Sequence, residues 1–147
     1  MIEIRPVAAQ DRDRWAELWQ GYLTFYKTEL PAGIYDLTFS RLLDPARAQH
    51  GLLAFVDGRP MGLVHYLFHP HNWAEADVCY LQDLYADPEA RGAGLGRALI
   101  EAVRDRAREA GASGLYWMTQ QDNVTAQRLY DRLAEKTDFI KYRMELT

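Results

Sequence analysis

Three glycines at alternate positions follow an arginine in the stretch ARGAGLG, residues 90–96. Glycine has no Cβ, so successive backbone amides can turn toward one point and bind an anion there. The helical pattern that begins near Leu95 would add unpaired N–H groups and the positive end of its dipole. Arg91 would add a fixed positive charge beside them. The stretch therefore predicts a cradle for a pyrophosphate.

Two familiar glycine-rich loops and a simple turn fit these glycines less well. A P-loop would continue with Gly-Lys-Ser or Gly-Lys-Thr, which is not present here. A dinucleotide fingerprint would place its third glycine at position 97, where Arg97 stands, whereas the third glycine is Gly96. A tight strand-to-helix turn needs only one glycine, so three of them beside an arginine favour the anion cradle.

The overall composition narrows the class of protein. A chain of 147 residues, 48% hydrophobic and 26% charged, is typical of one globular domain, here residues 1–147. The net charge of −4 and the lack of a long basic block disfavour a nucleic-acid partner. We identify no signal peptide and no membrane span, and the single cysteine, Cys79, fits a reducing compartment. We therefore expect a cytoplasmic protein that binds neither nucleic acid nor membranes.

Hydrophobic periodicity predicts the elements that position the glycine stretch. The predicted strands are IEIRPV, the two arms of a hairpin around Asp57-Gly58, residues 76–86, GLYWMT and FIKYRMEL. The predicted helices are residues 11–27, a short helix capped by Asp36 that ends near Asp44-Pro45, a helix that begins at Leu95 and is stopped by Gly111, and residues 123–133. This order predicts an α/β fold in which about four helices flank a central mixed sheet of about six to seven strands.

The segment YLQDLYADPEARGAGLGRALIEAV resembles the cofactor segment of the GNAT superfamily of N-acetyltransferases. The superfamily signature, Gln/Arg-x-x-Gly-x-Gly/Ala, corresponds to Arg91-Gly92-Ala93-Gly94-Leu95-Gly96. A second GNAT region resembles NVTAQRLYDRL, in which Asn123 and Tyr130 are seven positions apart. The order of elements is similar over the whole chain. Within the superfamily the polyamine, thialysine and histone-type acetyltransferases look most similar.

This resemblance implies acetyl-CoA as the co-substrate, with no metal. The amides from Arg91 to Arg97 would hold its pyrophosphate. The strand edge at Leu84, Tyr85 and Ala86 would pair with the pantetheine amides, because this strand separates from the next one, GLYWM, in GNAT proteins. Asn123 would bind the pantetheine arm by a hydrogen bond, and Tyr130 would lie near the thioester sulfur.

The resemblance also implies direct attack of a free amine on the thioester, which gives two side chains candidate catalytic roles. Tyr130 could stabilise or protonate the leaving thiolate, or it could be a packed helix aromatic. Asp83 could accept the proton of the amine, anchor the cationic end of the substrate, or bridge to an arginine. The N–H of Leu84 could polarise the carbonyl. Related sequences often have Glu at the position of Gln82, so this chain has one negative charge fewer beside Asp83.

Histidine and cysteine side chains elsewhere in the chain are expected to have structural roles. His69 and His71 have no third metal ligand at a suitable spacing and are expected at a loop tip. His50 and His65 are expected to fill strand positions. Cys79 is expected to be a small buried side chain rather than a nucleophile.

The acceptor is expected to be a primary amine, either a polyamine or a lysine-like small molecule. The aromatic and acidic residues of the first helices and of the loop before the 76–86 strand would bind its ammonium group by ion pairing and cation–π attraction. The alternatives are a protein lysine or N-terminus, an aminoglycoside-type amine, and a non-catalytic CoA-binding module. The C-terminal strand could complete a sheet within one chain or between two, and we expect a homodimer.

Overall fold

The computed structural model describes residues 1–147, which divide into two compact units, Met1–Trp117 and Met118–Thr147. The first unit contains strands β1 (Ile2–Pro6), β2 (Gln49–Val56), β3 (Arg59–His69), β4 (Val78–Ala86) and β5 (Leu115–Tyr116), and helices α1 (Arg12–Phe25), α2 (Ala32–Leu43) and α3 (Leu95–Glu109). Its sheet has the order β1-β2-β3-β4-β5. All pairs are antiparallel except β4 and β5, which are parallel.

The predicted hairpin between β2 and β3 is confirmed. Asp57 and Gly58 both have positive φ, 50° and 80°, and Val56 pairs with Arg59 across the turn. Two central residues with positive φ define a turn whose twist matches that of the flanking strands. The hairpin therefore sets the register of the two central strands, and β3 in turn pairs with β4.

The apolar stripe of α1 forms the core on one face of this sheet. Trp15, Leu18, Trp19 and Leu23 are buried, and they belong to one cluster with Leu53 of β2 and Leu63 of β3. The rings of Trp15 and Trp19, one helical turn apart, stack with their centroids 5.3 Å apart. The spacing of these residues predicts the helix, and the structure confirms it with slightly tighter bounds than residues 11–27.

The number of strands is lower than predicted. The sheet has five strands rather than six to seven, and GLYWMT contributes only Leu115–Tyr116. FIKYRMEL is not a strand, although its apolar residues alternate, and Ile140 and Tyr142 are largely exposed. An alternating pattern becomes a strand only when a neighbouring edge supplies hydrogen bonds, so β-propensity alone does not decide the outcome. The prediction of about four helices is confirmed.

The start of α2 also differs from the prediction. The helix begins at Ala32 with Pro31 in the N-cap position, so Asp36 lies inside it and is not a cap. The Asp36 carboxylate instead accepts a hydrogen bond from Arg12 (2.7 Å). Proline fixes φ near −65° and lacks an N–H, which makes it compatible with a helix start without a capping side chain.

In the second unit, α4 spans Val124–Leu133 and Asn123 is its N-cap. None of the helices is both long enough and apolar enough to cross a membrane.

Removing Asp11 is expected to destabilise the first unit. Its carboxylate, 7% exposed, accepts two hydrogen bonds from Arg5 (2.7 and 2.9 Å) and one from the N–H of Ala8 (2.8 Å). The Arg5 hydrogen bonds hold the pKa of Asp11 below its usual value. Asp11→Ala should lower the free energy of unfolding by about 1–3 kcal/mol, because three partly buried N–H donors lose their acceptor.

The pH dependence of this loss has a definite sign. A carboxyl whose pKa is lowered on folding stabilises the native state above its unfolded pKa, and the contribution disappears as the pH falls through the folded pKa. Urea titrations should therefore show the difference between wild type and Asp11→Ala at neutral pH and a smaller one in acid. The exposed Asp36, also paired with an arginine, is the matched control. Asp36→Ala should change stability by less than about 1 kcal/mol, and an equal loss for both variants would contradict the expectation.

Candidate active site

The glycine stretch leads into α3 as the sequence predicts. Gly92 and Gly94 have φ of 85° and 79°, a region that L side chains adopt with strain, and Gly94 is the N-cap of α3. The first helical hydrogen bond runs from the N–H of Ala98 to the carbonyl of Gly94 (3.0 Å). The N–H groups of Leu95, Gly96 and Arg97 therefore have no partner within the helix, and such a helix start binds anions.

Not every amide of the loop is available to a ligand. The N–H of Arg91 donates to the carbonyl of Pro88, and that of Ala93 donates to the carbonyl of Ala90, both at 3.2 Å. These two bonds hold the loop in shape. The prediction that all amides from Arg91 to Arg97 hold a pyrophosphate is thereby narrowed to Gly92, Gly94 and the first turn of α3.

The turn before this loop is fixed by Asp87. Its carboxylate accepts the N–H of Glu89 (3.0 Å) and a guanidinium N–H of Arg14 (2.9 Å), and its own N–H donates to the carbonyl of Met61 (2.7 Å). The hydrogen bond from Glu89, followed by that from Arg14, holds the pKa of Asp87 below its usual value. Through its carboxylate and its backbone N–H, Asp87 thus joins α1, β3 and the loop that leads to α3.

The strand β4 has an unpaired edge next to this loop. It pairs with β3 from Val78 to Ala86, but with β5 only at Cys79 and Tyr80. The predicted cofactor-contact residues Leu84, Tyr85 and Ala86 lie beyond the last β4–β5 pair. Their edge is open to an extended ligand that carries amides, since such a ligand can pair with a strand as another strand would. The GNAT resemblance implies an opening at this place, and the contact of these residues with pantetheine stays a prediction.

An irregularity in β4 determines where Asp83 points. His65 of β3 pairs with Asp83, whereas the next residue, Tyr66, pairs with Leu81, so Gln82 is an extra residue in β4. Adjacent strand residues point to opposite faces, and paired residues share a face. Leu81 and Asp83 therefore lie on opposite faces although they are two positions apart. This bulge places Asp83 on the face that α1 covers.

Asp83 belongs to a buried hydrogen-bond network. The carboxylate, 9% exposed, accepts N–H groups from His65 Nδ1 (2.8 Å) and from Trp19 Nε1 (3.2 Å) on the same oxygen, Oδ2. Trp15 Nε1 donates to His65 Nε2 (2.9 Å). Because an indole N–H can only donate, Nε2 of His65 is the acceptor and Nδ1 carries the proton. Both nitrogens of His65 are therefore engaged in hydrogen bonds within the network.

The phenol of Tyr22 lies close to this network and stays neutral. Burial, together with the negative charge of Asp83 and a hydrogen bond to it, raises the pKa of Tyr22 well above its usual range. A phenol with such a pKa does not act as a base near neutral pH. Tyr22 thus adds a polar group to Asp83 without adding a charge.

A cavity of about 240 Å³ lies beside Asp83 in the first unit. Its lining includes Trp19, Arg41, His50, His65, Gln82 and Asp83. The pKa of His50 is lowered by burial and by the charge of Arg106, so its imidazole is neutral at pH 7. The charged groups of the lining are therefore Arg41 and Asp83. A cavity that holds a buried carboxylate next to an open strand edge can bind a cationic amine.

The second unit contains the other two predicted residues. The side chain of Asn123 caps α4: Oδ1 accepts the N–H of Ala126 (3.4 Å), and Nδ2 donates to Oγ1 of Thr119 (3.3 Å). An amide side chain with these two bonds keeps one N–H and one lone pair. Tyr130 is half-buried on the same helix, two turns further on. The roles of Asn123 and Tyr130 toward a thioester remain predictions.

Cys79 has the buried position expected for it, whereas of the two histidines expected at a loop tip only His71 lies in a loop. Cys79 is buried, and burial raises the pKa of its thiol to about 11, which makes it a poor nucleophile. His69 ends β3, where its Nε2 lies 2.8 Å from the hydroxyl of Tyr116, and His71 follows in a turn. No group of three or more His, Cys, Asp or Glu side chains in the structure could hold a metal ion.

Two features of the site were not predicted. The sequence places His65 in a strand but does not reveal its hydrogen bonds to Asp83 and Trp15. A histidine inside the apolar run GLVHYLF and two tryptophans four positions apart on one helix are the available signals. Arg41 at the cavity gives no signal, because an arginine near a helix end is common on protein surfaces.

Comparisons with known proteins agree with this geometry. Residues 13–134 match the Acetyltransferase (GNAT) family. The chain is 40% identical over 144 residues to the D-amino-acid N-acetyltransferase HPA3 of Saccharomyces cerevisiae (strain S288c), a match that covers 97% of this chain and 89% of the yeast protein.

Solved structures show the same fold. The ribosomal-protein-alanine N-acetyltransferase of Brucella melitensis biovar Abortus 2308 is similar with a TM-score of 0.82 at 24% identity, covering 99% of this chain and 100% of that one. AAC(6')-Iy, solved with the bisubstrate analog CoA-S-monomethyl-acetylneamine, gives a TM-score of 0.83 at 20% identity and covers 99% of both chains. GNAT acetyltransferases use acetyl-CoA as the acetyl donor. The predicted α/β GNAT fold is confirmed, and the chain belongs to the GNAT family of N-acetyltransferases.

Proposed function

We propose that the protein transfers the acetyl group of acetyl-CoA directly to the primary amine of a small molecule in a ternary complex. The observation that carries this proposal is the position of Asp83. It is a buried carboxylate in the lining of a cavity, and it immediately precedes the stretch Leu84 to Ala86 on the open edge of β4. A donor paired with that edge would bring its thioester next to a carboxylate that attracts amines.

The residues present fit acetyl-CoA. The unpaired amides at the start of α3, with Gly92 and Gly94, supply donors for its pyrophosphate. Leu84, Tyr85 and Ala86 supply backbone groups for its pantetheine amides. Asn123 is proposed to bind the pantetheine arm through its remaining N–H or lone pair. We further propose that all these residues act in one domain formed by residues 1–147.

Asp83 is proposed to make the amine reactive. An alkylamine with a pKa of about 10.4 is mostly protonated at neutral pH, so it must lose a proton before or during attack. Asp83 would take that proton, directly or through water, as the new C–N bond forms. The N–H of Leu84 would stabilise the negative charge that develops on the carbonyl oxygen. Tyr130 would donate its proton to the sulfur as the C–S bond breaks.

The volume of the cavity favours a small acceptor. About 240 Å³ is less than the roughly 300–1,000 Å³ that pockets for drug-sized ligands occupy. A polyamine, a lysine-like molecule or an amino acid such as the substrate class named for the yeast relative would be of suitable size. An aminoglycoside, a protein N-terminus or a protein lysine would need surfaces beyond the cavity. The alternative that is not an enzyme is a non-catalytic CoA-binding module.

Thiol release from acetyl-CoA tests this proposal. The purified protein would be assayed with polyamines, D- and L-amino acids, lysine analogues, an aminoglycoside and a short peptide. We expect rate increases confined to the small acceptors, with the acetylated product seen by mass spectrometry. If no amine raises the rate while CoA still raises the melting temperature, the protein is a CoA-binding module. A rate increase only with the peptide or the aminoglycoside would assign the acceptor to those classes.

A homodimer in the cytoplasm is part of the same proposal. The segment after α4 carries apolar side chains at alternating positions, and Ile140, Tyr142, Met144 and Leu146 are 78–90% exposed in the single chain. An exposed apolar segment of this kind favours association with a second surface. Light scattering after size-exclusion chromatography should give twice the mass of one chain, 17.0 kDa. A mass equal to one chain at micromolar concentration would refute the homodimer.

A further inference from the structure

Arg41 is a charged side chain that lines the cavity, and one of its buried atoms has no hydrogen-bond partner. It lies in the last turn of α2 and lines the cavity with Asp83. Its Nε is buried and makes no hydrogen bond. By contrast, the guanidinium groups of Arg5, Arg12 and Arg14 each bind a carboxylate. Arg41 therefore differs from these three arginines.

A purely structural role does not explain this arrangement. A cation near the end of a helix interacts favourably with the helix dipole, but that interaction is equally available to an exposed side chain. Burial of a guanidinium N–H without an acceptor costs free energy. Arg41 lines the cavity and forms no ion pair with a carboxylate of the chain, so a ligand that brings a carboxylate would supply that partner. The guanidinium geometry matches a carboxylate, which it can bind through two parallel hydrogen bonds.

Arg41 and Asp83, the two opposite charges of the cavity, are not paired with each other. The carboxylate of Asp83 accepts its hydrogen bonds from His65 and Trp19 rather than from Arg41. Arg41 and Asp83 thus present a positive and a negative group to the same space. A molecule that has both an ammonium and a carboxylate group complements both, whereas a diamine would place its second ammonium group in a cavity that contains a guanidinium.

We propose that Arg41 binds the carboxylate of the acceptor, and that the acceptor is a small amino acid whose amine faces Asp83. This inference rests on the proposed acetyl transfer and names its substrate class. It makes Arg41 a specificity residue: acceptors with a carboxylate are used, and amines of the same size without one are poor substrates. It also replaces the polyamine acceptor that the sequence suggests.

The test compares two substrates that differ only at the carboxylate. Alanine, as both enantiomers, and alaninamide would be assayed with wild type, Arg41→Met and Arg41→Lys. Wild type should prefer one enantiomer of alanine over its amide by about 10- to 100-fold in kcat/KM, the size expected of a charge-assisted bidentate pair. Arg41→Met should remove that preference by raising KM for alanine and leaving the amide unaffected. Arg41→Lys should retain part of it.

A binding measurement and a stability measurement complete the test. Calorimetry should show D- or L-alanine binding to the CoA complex of wild type and none to Arg41→Met. The melting temperature of Arg41→Met should be equal to or above that of wild type, because an unsatisfied buried donor is removed. Arg104, which is exposed and paired with Asp105, supplies the control Arg104→Met, expected to keep the wild-type preference.

The outcomes separate this inference from the proposed function. Equal kcat/KM for the acid and the amide in wild type, or an unchanged preference in Arg41→Met, would overturn the role of Arg41 while acetyl transfer stands. If wild type acetylates no amine at all, the proposed function fails. In that case calorimetry still decides whether Arg41 binds the carboxylate of an amino acid. Binding of alanine to wild type that is lost in Arg41→Met supports this role, and no binding to wild type refutes it.

Discussion

Asp83→Asn is expected to lower kcat/KM for amine acetylation by about 10²- to 10⁴-fold at neutral pH. The asparagine oxygen can still accept the N–H groups of His65 and Trp19, so both hydrogen bonds remain while the negative charge is removed. Without that charge a protonated amine loses its proton acceptor. Initial rates measured from about pH 6 to about pH 10 should show the loss shrinking as free amine accumulates.

A second variant separates the charge from the hydrogen bonds. Asp83→Ala removes the acceptor as well, and it leaves two buried N–H groups unpaired at a cost of about 1–3 kcal/mol each. It should therefore destabilise the protein more than Asp83→Asn while reducing the rate by a similar factor. Leu53 is fully buried outside this network, so Leu53→Ala should cost about 2–5 kcal/mol of stability and keep the kcat of the folded protein. If folded Asp83→Asn has the same kcat/KM as wild type, Asp83 has only a structural role.

The kinetic form of the loss distinguishes two roles of Asp83. If the carboxylate accepts the proton, Asp83→Asn lowers kcat with little change in KM, and an acceptor amine of lower pKa is affected less. If it only anchors the ammonium group, KM rises and kcat is preserved. The network favours the first role, because the bulge at Gln82 and the donors Trp19 and His65 hold the carboxylate in one orientation. Such preorganisation is characteristic of groups that take part in proton transfer.

The backbone geometry of the proposed donor side could be predicted from sequence because the signals for it are local. One short stretch contains the arginine, the glycines that need a positive φ and the start of a helix. Gly92, Gly94 and Leu95 can therefore be identified without knowledge of the fold. The hairpin turn at Asp57-Gly58 is local in the same sense. Helices with a strong apolar stripe, such as α1, are predictable because the stripe has a single period.

The acceptor side depends on pairing between distant residues. His65 meets Asp83 only through the register of β3 and β4, and that register changes at a bulge that no local pattern marks. Arg41 reaches the cavity because α2 packs on the sheet, and the cavity is lined by residues from three strands and two helices. The same reason explains the error at the C-terminus, where the pattern of FIKYRMEL is that of a strand but the required neighbour is not encoded in the segment itself.

Tyr130→Phe is expected to lower kcat by about 10²- to 10⁴-fold at neutral pH, the usual contribution of a general acid. The substitution removes only the hydroxyl and keeps the ring, so packing of α4 should be retained. Tyr142 is in the same unit and 90% exposed, which makes Tyr142→Phe the matched control with wild-type kcat. Stopped-time assays with saturating acetyl-CoA and acceptor would measure kcat, and calorimetry would measure the affinity for CoA.

The pH dependence and the CoA affinity of Tyr130→Phe decide between a proton donor and a binding residue. A thiolate whose thiol has a pKa of about 8.5 leaves at any pH, and a general acid speeds its departure only while that acid still carries its proton. The deficit in kcat should therefore be full at neutral pH and should decrease as the pH rises through about 10, where an ordinary phenol loses its proton. CoA affinity should be unchanged, because protonation of the sulfur matters only as the C–S bond breaks. Full turnover at every pH would eliminate Tyr130 as the acid, whereas a loss of CoA affinity with unchanged kcat would make it part of the cofactor site.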